Sequence, residues 1–244
     1  MPLPDGALAV LPVHGIGEVA PGSDLAGLIR AALAPASPDA PTLLEGDVVV
    51  VTQKVVSKAE GRLVPIDERD PAAKQALVEQ ESVRILRRRG DLVISETTHG
   101  FVCANAGVDL SNVADGTAAL LPVDPDRSAR RIRAGLHAML GVDVGVIVSD
   151  TFGRPWRRGV TDVAIGCAGI AAVIDLKGTP DAGGRELVAT EICVADELAS
   201  AAELVMGKAR GVPVAVVRGV SSAWLRTSSV RAEVLRPPGE DLFR

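Results

Sequence analysis

The chain has 244 residues, enough for one large domain or two small ones with a sizeable buried core. Hydrophobic residues make up 47%, yet the aromatics are only two Trp and three Phe with no Tyr, so Val, Leu, Ile and Ala must fill the core and base-stacking platforms are disfavoured. A net charge of −5 likewise argues against a nucleic-acid partner, while leaving room for a local basic pocket for a small anion.

In chain order, an apolar strand over residues 7–13 runs into the turn His14-Gly15-Ile16-Gly17. Ser23 or Asp24 can cap the helix expected at 25–33. A proline-rich linker, 35–41, precedes a β-branched buried strand at 47–51. Residues 72–89 read as one long amphipathic helix, its Arg87-Arg88-Arg89 end suiting a helix C-terminus and Gly90 stopping it. Strands are expected at 91–95 and 100–104, a helix at 128–140, and an apolar strand at 142–149. The stretch 153–169, rich in Gly and Arg, reads as a loop; a helix at 194–206 and a strand at 212–217 follow. The polar segment after Val220 reads as a linker. The alternation favours a mixed α/β (α+β) class.

Cys103, Cys167 and Cys193 form no CxxC pair and read as buried thiols in a reducing cytoplasm. There is no export signal, and no apolar stretch approaches the ~18 residues of a membrane span, so a cytoplasmic protein without a membrane partner is expected.

The sharpest chemical feature is Ser149-Asp150-Thr151 at the end of an apolar strand, where α/β proteins gather ligands. A carboxylate beside a hydroxyl suits Mg²⁺ or Mn²⁺, although an Asp after a strand also serves as a cap. Asn105 to Asn112 supplies small residues, then Asp109, Ser111 and Asn112 on one turn. Alone this is equally an Asx-rich turn. With Asp150, Asp109 makes a two-carboxylate metal site. Lys58, after the strand at 47–51, can meet phosphate; Arg154, Arg157 and Arg158 suit phosphate or carboxylate, or form a solvated basic loop. No P-loop, GxGxxG or GxSxG motif is present, and His14, His99 and His137 lack metal-ligand spacing. General motifs therefore stop at a metal and phosphate site on an α/β fold.

A more specific pattern emerges in sequence order. Pro12-Val13-His14-Gly15-Ile16, Gly46-Asp47 with Ser57-Lys58-Ala59-Glu60-Gly61, Asn105-Ala106-Gly107-Val108-Asp109 with Ser111-Asn112, Leu121-Pro122 with Asp124-Pro125-Asp126, Ser149-Asp150-Thr151 with Gly153-Arg154 and Arg157-Arg158-Gly159, and Val194-Ala195-Asp196-Glu197 together resemble the coenzyme F420:L-glutamate ligase family over about residues 8–218. The resemblance implies a GTP-dependent ligase requiring Mg²⁺ or Mn²⁺, with K⁺ as a further ion. Such an enzyme adds L-glutamate to the lactyl carboxylate of the deazaflavin coenzyme F420 precursor, then further glutamates by gamma-linkages. It also implies a family-specific gamma-glutamyl ligase fold, an intertwined homodimer, a ligase domain at 1–220 and a tail at 221–244, which in actinobacterial relatives leads to a reductase-like domain.

By position, Asp109, Asp150 and Thr151 match metal ligands, and Lys58 joins the two acids as a catalytic group. Asn112 and Lys58 match GTP contacts, and Ile16, Gly17, Glu18 and Val19 match a backbone stretch along the nucleotide. Gln53 and Lys54 stand where the family carries a small hydroxyl pair, while Met206-Gly207 opens another nucleotide loop in which Lys208 replaces an acid found in some members. Arg154, Arg157 and Arg158 are candidates for gripping the anionic substrate. Two other classes remain open: a nucleotide- and metal-binding module without ligase activity, and a metal-dependent hydrolase of another phosphorylated substrate.

Overall fold

The structure is a computed structural model and describes residues 3, 4, 6–33 and 41–242. Residues 35–40 of the proline-rich stretch, and Phe243 and Arg244 of the tail, lie outside the described residues. The elements are β1 (Ala9–Val13), α1 (Leu25–Leu33), β2 (Val48–Thr52), α2 (Gln53–Ala59), β3 (Leu63–Pro65), α3 (Pro71–Gln80), β4 (Ser82–Arg89), β5 (Leu92–Thr97), β6 (Val102–Ala104), β7 (Thr117–Ala119), α4 (Pro125–Leu140), β8 (Gly145–Arg154), β9 (Arg157–Ala168), β10 (Ile174–Asp175), β11 (Glu191–Ile192), α5 (Val194–Met206), β12 (Val214–Arg218) and α6 (Val230–Glu233). The mixed α/β class expected from the sequence is observed.

The main sheet has the order β1-β12-β2-β8-β9. Only β2 and β8 run parallel, with Thr52 level with Ser149; the other neighbours are antiparallel. β2 and the first half of β8 are unbroken runs of buried residues, as expected of central strands covered on both faces. α4 packs on β8 and β9, and α5 on β1, β12 and β9. Close approach of α4 to β9 needs Gly166, where a Cβ would lie 2.3 Å from the Pro125 carbonyl carbon. Asp47, 2% exposed, is tied across the sheet to the Arg218 guanidinium at 2.7 and 2.9 Å.

Residues 62–121 build a smaller lobe from the pairs β3-β7 and β4-β5-β6 with α3, over a second cluster of Val78, Val93, Ala106, Val108, Ala118 and Leu120. Here the sequence reading needs correction. The single helix expected at 72–89 is α3 followed by β4. Asp70 caps α3 by accepting the Ala72 N–H, Pro71 opens it, and only Val78 on it is buried, so it lacks the apolar stripe a longer helix needs. The Ser82 hydroxyl closes the helix on the Val78 carbonyl, and β4 then turns back through Gly90 (φ 57°) to pair with β5. The arginine run therefore lies on a strand, with Arg88 bonded to Glu79, and not at a helix end.

A second correction concerns 153–169, which is no loop. β8 continues to Arg154 and β9 occupies Arg157–Ala168, a long hairpin turning at Pro155-Trp156. A third concerns the segment after Val220. Val230 of α6 is fully buried, and Asp126 accepts N–H bonds from Cys167, Val230 and Arg231, binding this segment to β9. The three cysteines are free thiols, each pushed up to about 12 by burial. Among the described residues, no helix is long and apolar enough to cross a membrane.

Candidate active site

The parallel pair β2 and β8 ends at one level, so the segments beyond the two strands emerge side by side. β2 passes directly into α2 at Thr52, presenting Lys54 and Lys58 one turn apart on the helix. β8 carries Ser149, Asp150 and Thr151 at the same height. Beyond these ends lies a cavity of about 550 Å³. Its walls come from the loop Ile16, Gly17, Glu18 and Val19, from Gln53, Lys54 and Lys58, from Asn112, Asp150 and Thr151, and from the loop that begins at Gly207.

The small lobe supplies the opposing rim. Asn105, Ala106 and Gly107 take successive left-handed conformations (φ 51°, 51° and 71°), and a Cβ on Gly107 would stand 2.7 Å from Leu121, so glycine is required there. Asn105 offsets its own strain by accepting the Val93 N–H through Oδ1. This tight turn delivers Asp109, held by a two-way backbone bridge to Ala119.

Asp109 Oδ2 lies 2.8 Å from Lys54 Nζ, which also donates to Ser111 Oγ at 2.6 Å. Partial burial pushes the Asp109 carboxyl up, but the Lys54 ammonium and the Ser111 N–H together hold it below the usual carboxylate range. Asp150 differs. Burial dominates and pushes it up to about 7; the Thr151 N–H and the Lys208 ammonium act against this, and Asp162 and Asp109 act with it. Lys58 Nζ donates to Glu18 at 2.7 Å, across the cavity mouth, and that bond lowers the Glu18 carboxyl.

Two acidic cavity residues, Asp162 and Glu203, escape the sequence reading, which reaches Lys208 only through its loop. Asp162, buried on β9, accepts Ser149 Oγ at 2.9 Å and Thr151 Oγ1 at 2.5 Å, fixing both hydroxyls. It was hidden by the reading of 153–169 as a loop; the apolar alternation around it was the available signal. Glu203 on α5 is raised by burial and by Asp162. Lys208 donates to Thr151 Oγ1.

Other positions fall differently. Gln53 is 1% exposed and gives its amide hydrogens to Ser57 Oγ (2.6 Å) and the Leu120 carbonyl (2.9 Å), so its side chain is committed to the scaffold. Met206 is fully buried in the core, and Gly207, not Met206, reaches the cavity. Arg154, Arg157 and Arg158 are exposed at the hairpin tip, and the fold does not bring them to the cavity wall.

The donor chemistry can be tested against a divalent cation. Among the described residues no three His, Cys, Asp or Glu side chains assemble as a metal cage. Two carboxylates and a hydroxyl, of which Asp109 and Thr151 are each bonded to an ammonium group, are instead a partial set of hard oxygens. Mg²⁺ and Mn²⁺ complete such sets with water and phosphate oxygens. The residues fit.

With this geometry in hand, the relatives can be placed. A family model described as F420-0:Gamma-glutamyl ligase matches residues 15–219. The chain is 43% identical to a coenzyme F420:L-glutamate ligase of Methanothermobacter thermautotrophicus, covering 97% of this chain and 99% of that protein. It is also 43% identical to the like-named protein of Methanopyrus kandleri (97% and 98%) and 41% identical to that of Methanocaldococcus jannaschii (82% and 85%). A match of this length, running through every strand and loop that frames the cavity, shows that the chain belongs to the F420-0:gamma-glutamyl ligase family.

Proposed function

We propose that this chain is a GTP-dependent coenzyme F420:L-glutamate ligase. The observation that carries the reading is that Lys54, Lys58, Asn112, Asp150 and Thr151 line one cavity, with Asp109 paired to Lys54 beside it. Anion-binding and cation-binding groups there share a wall, as a metal-bound phosphate chain requires.

A carboxylate resists attack by an amine until it carries a good leaving group. In the proposed reaction an oxygen of the acceptor's lactyl carboxylate attacks the γ-phosphorus of GTP, the bond to the β-phosphate oxygen breaks, and GDP leaves. The glutamate amine then adds to the carbonyl of the acyl phosphate, phosphate departs, and the amine proton passes to solvent, leaving an amide. Lys58 and Lys54, both at the cavity wall, would neutralise charge on the transferring phosphoryl group. Asp109, Asp150 and Thr151 would hold Mg²⁺ or Mn²⁺, which supplies charge neutralisation at the phosphates. The Asp162 carboxylate keeps the Ser149 and Thr151 hydroxyls aimed.

The homodimer implied by the resemblance belongs to the same reading. Trp156, 86% exposed, and Val160 on the β8–β9 hairpin are surface that a second copy would cover.

Incubation with GTP, Mn²⁺, L-glutamate and the unglutamylated deazaflavin, followed by mass spectrometry, tests the proposal. A product heavier by glutamate residues, with GDP released only when both acceptor and glutamate are present, is expected. Unchanged acceptor, or GDP release independent of glutamate, overturns it.

A further inference from the structure

The small lobe hangs from the main body by two crossings of the chain, at 60–62 going in and at 120–124 coming out. Two motifs that the proposed chemistry does not use, Glu60-Gly61 and Leu121-Pro122 with Asp124, meet at this junction. The entering segment grips the leaving one with alternate side chains. Arg62 works toward the lobe: its Nε donates to the Leu121 carbonyl at 3.0 Å, and its guanidinium pairs with Glu81 at the end of α3. Glu60 works toward the body. Its Oε2 accepts the Val123 N–H at 2.9 Å, and its Oε1 accepts the Ser128 hydroxyl on α4. Between the two, Gly61 takes a left-handed conformation (φ 68°) that turns the chain from α2 into the lobe.

The path from this junction to the rim of the active site is short. The Leu120 N–H donates to the Arg62 carbonyl at 2.9 Å, Ala119 stands level with Leu63 in the β3–β7 pair, and Asp109 is bridged to Ala119 in both directions. Glu60 itself faces away from the active site, into a separate space of about 400 Å³ between α1, α2 and α4. Resting on the reading of Asp109 as a residue of the reaction, we infer that Glu60 is a positioning residue. By tying the exit segment of the lobe to the start of α4, it fixes the attitude of the whole lobe and, through it, of Asp109. Both of its donors are neutral, so an amide in its place can keep both bonds.

Spin labels on exposed Ala76 of α3 and Ala138 of α4 read the lobe-to-body distance by pulsed electron paramagnetic resonance. They enter as Ala76→Cys and Ala138→Cys with Cys193→Ser, and the labelled protein is diluted with unlabelled protein so that only distances within one chain are seen. A narrow distance is expected for this parent. Glu60→Ala should about double the width of the distribution, because Ser57, Arg62 and His99 still hold the exit segment. Glu60→Gln should restore the narrow distance, its Oε1 accepting the Val123 N–H and its amide donating to Ser128. Should Glu60→Ala fail to fold, Ser128→Ala, which keeps the backbone bond, takes its place and should widen the distribution in the same sense. In the same set, kcat for glutamate-dependent GDP release should fall about tenfold or more in Glu60→Ala and return in Glu60→Gln. An alanine variant as narrow as the parent, a Glu60→Gln as broad as Glu60→Ala, or a widened distribution with undiminished kcat overturns the inference. Absence of turnover in the parent overturns the ligase reading alone, and the distances then decide whether Glu60 fixes the lobe.

Discussion

The main sheet and the small lobe face each other across the cavity but are built to different standards. The first joins five strands to α1, α4 and α5 through fully buried Val, Ile, Leu and Ala. The second rests on six buried side chains and strands of three to eight residues. Asp150, Thr151, Lys54 and Lys58 stand on the sheet or on α2 at its end; Asp109 and Asn112 stand on the lobe. The two acids of the proposed cation site thus have foundations of unequal stiffness. Closing the site amounts to docking a thin lobe on a rigid floor, with the Lys54–Asp109 pair as the link.

The largest expected effect comes from breaking the rigid side. Asp150→Asn keeps the shape but removes the charge, and glutamate-dependent GDP release should fall about a thousandfold, on the order of 4 kcal/mol. Asp109→Asn should cost less, roughly 10–100-fold, because the lobe can readjust; equal losses would show that both sides are equally stiff. Next comes folding. Gly166→Ala forces a Cβ into the Pro125 backbone and should destabilise by about 3 kcal/mol in urea denaturation. Leu120→Ala in the lobe core should cost about 2 kcal/mol, seen first as loss of the lobe and only later of the sheet. The smallest effect requires no mutation: amides of β4–β6 should exchange hydrogen faster than those of β2, β8 and β12. Uniform protection would erase the distinction between the two regions.

The same contrast explains what was legible in the sequence. α1 and α5 appear with the bounds their periodicity implies, and β2 and β8 as the β-branched runs they are, because burial on two faces leaves an unmixed apolar signal. The lobe offers no such signal. Ser82-Val83-Arg84-Ile85-Leu86 mixes strand alternation with helix-forming residues, and only pairing with β5 decides between them. In the 153–169 region Gly and Arg at the hairpin tip disguised a strand, and Asp162 with it. Asp150 and Thr151 line the cavity, but no sequence spacing announces that Lys54 reaches Asp109 across 55 residues, or that Lys208 reaches Thr151. Those contacts belong to the fold.

Asp126 carries a practical consequence for anyone trimming this protein. Of the three backbone donors it satisfies, two come from Val230 and Arg231. A chain cut near residue 220 would leave a buried carboxylate half-solvated and strip Val230 from the flank of β9. Such a fragment should be sticky and protease-sensitive, whereas a cut beyond the turn at 235 should spare the domain.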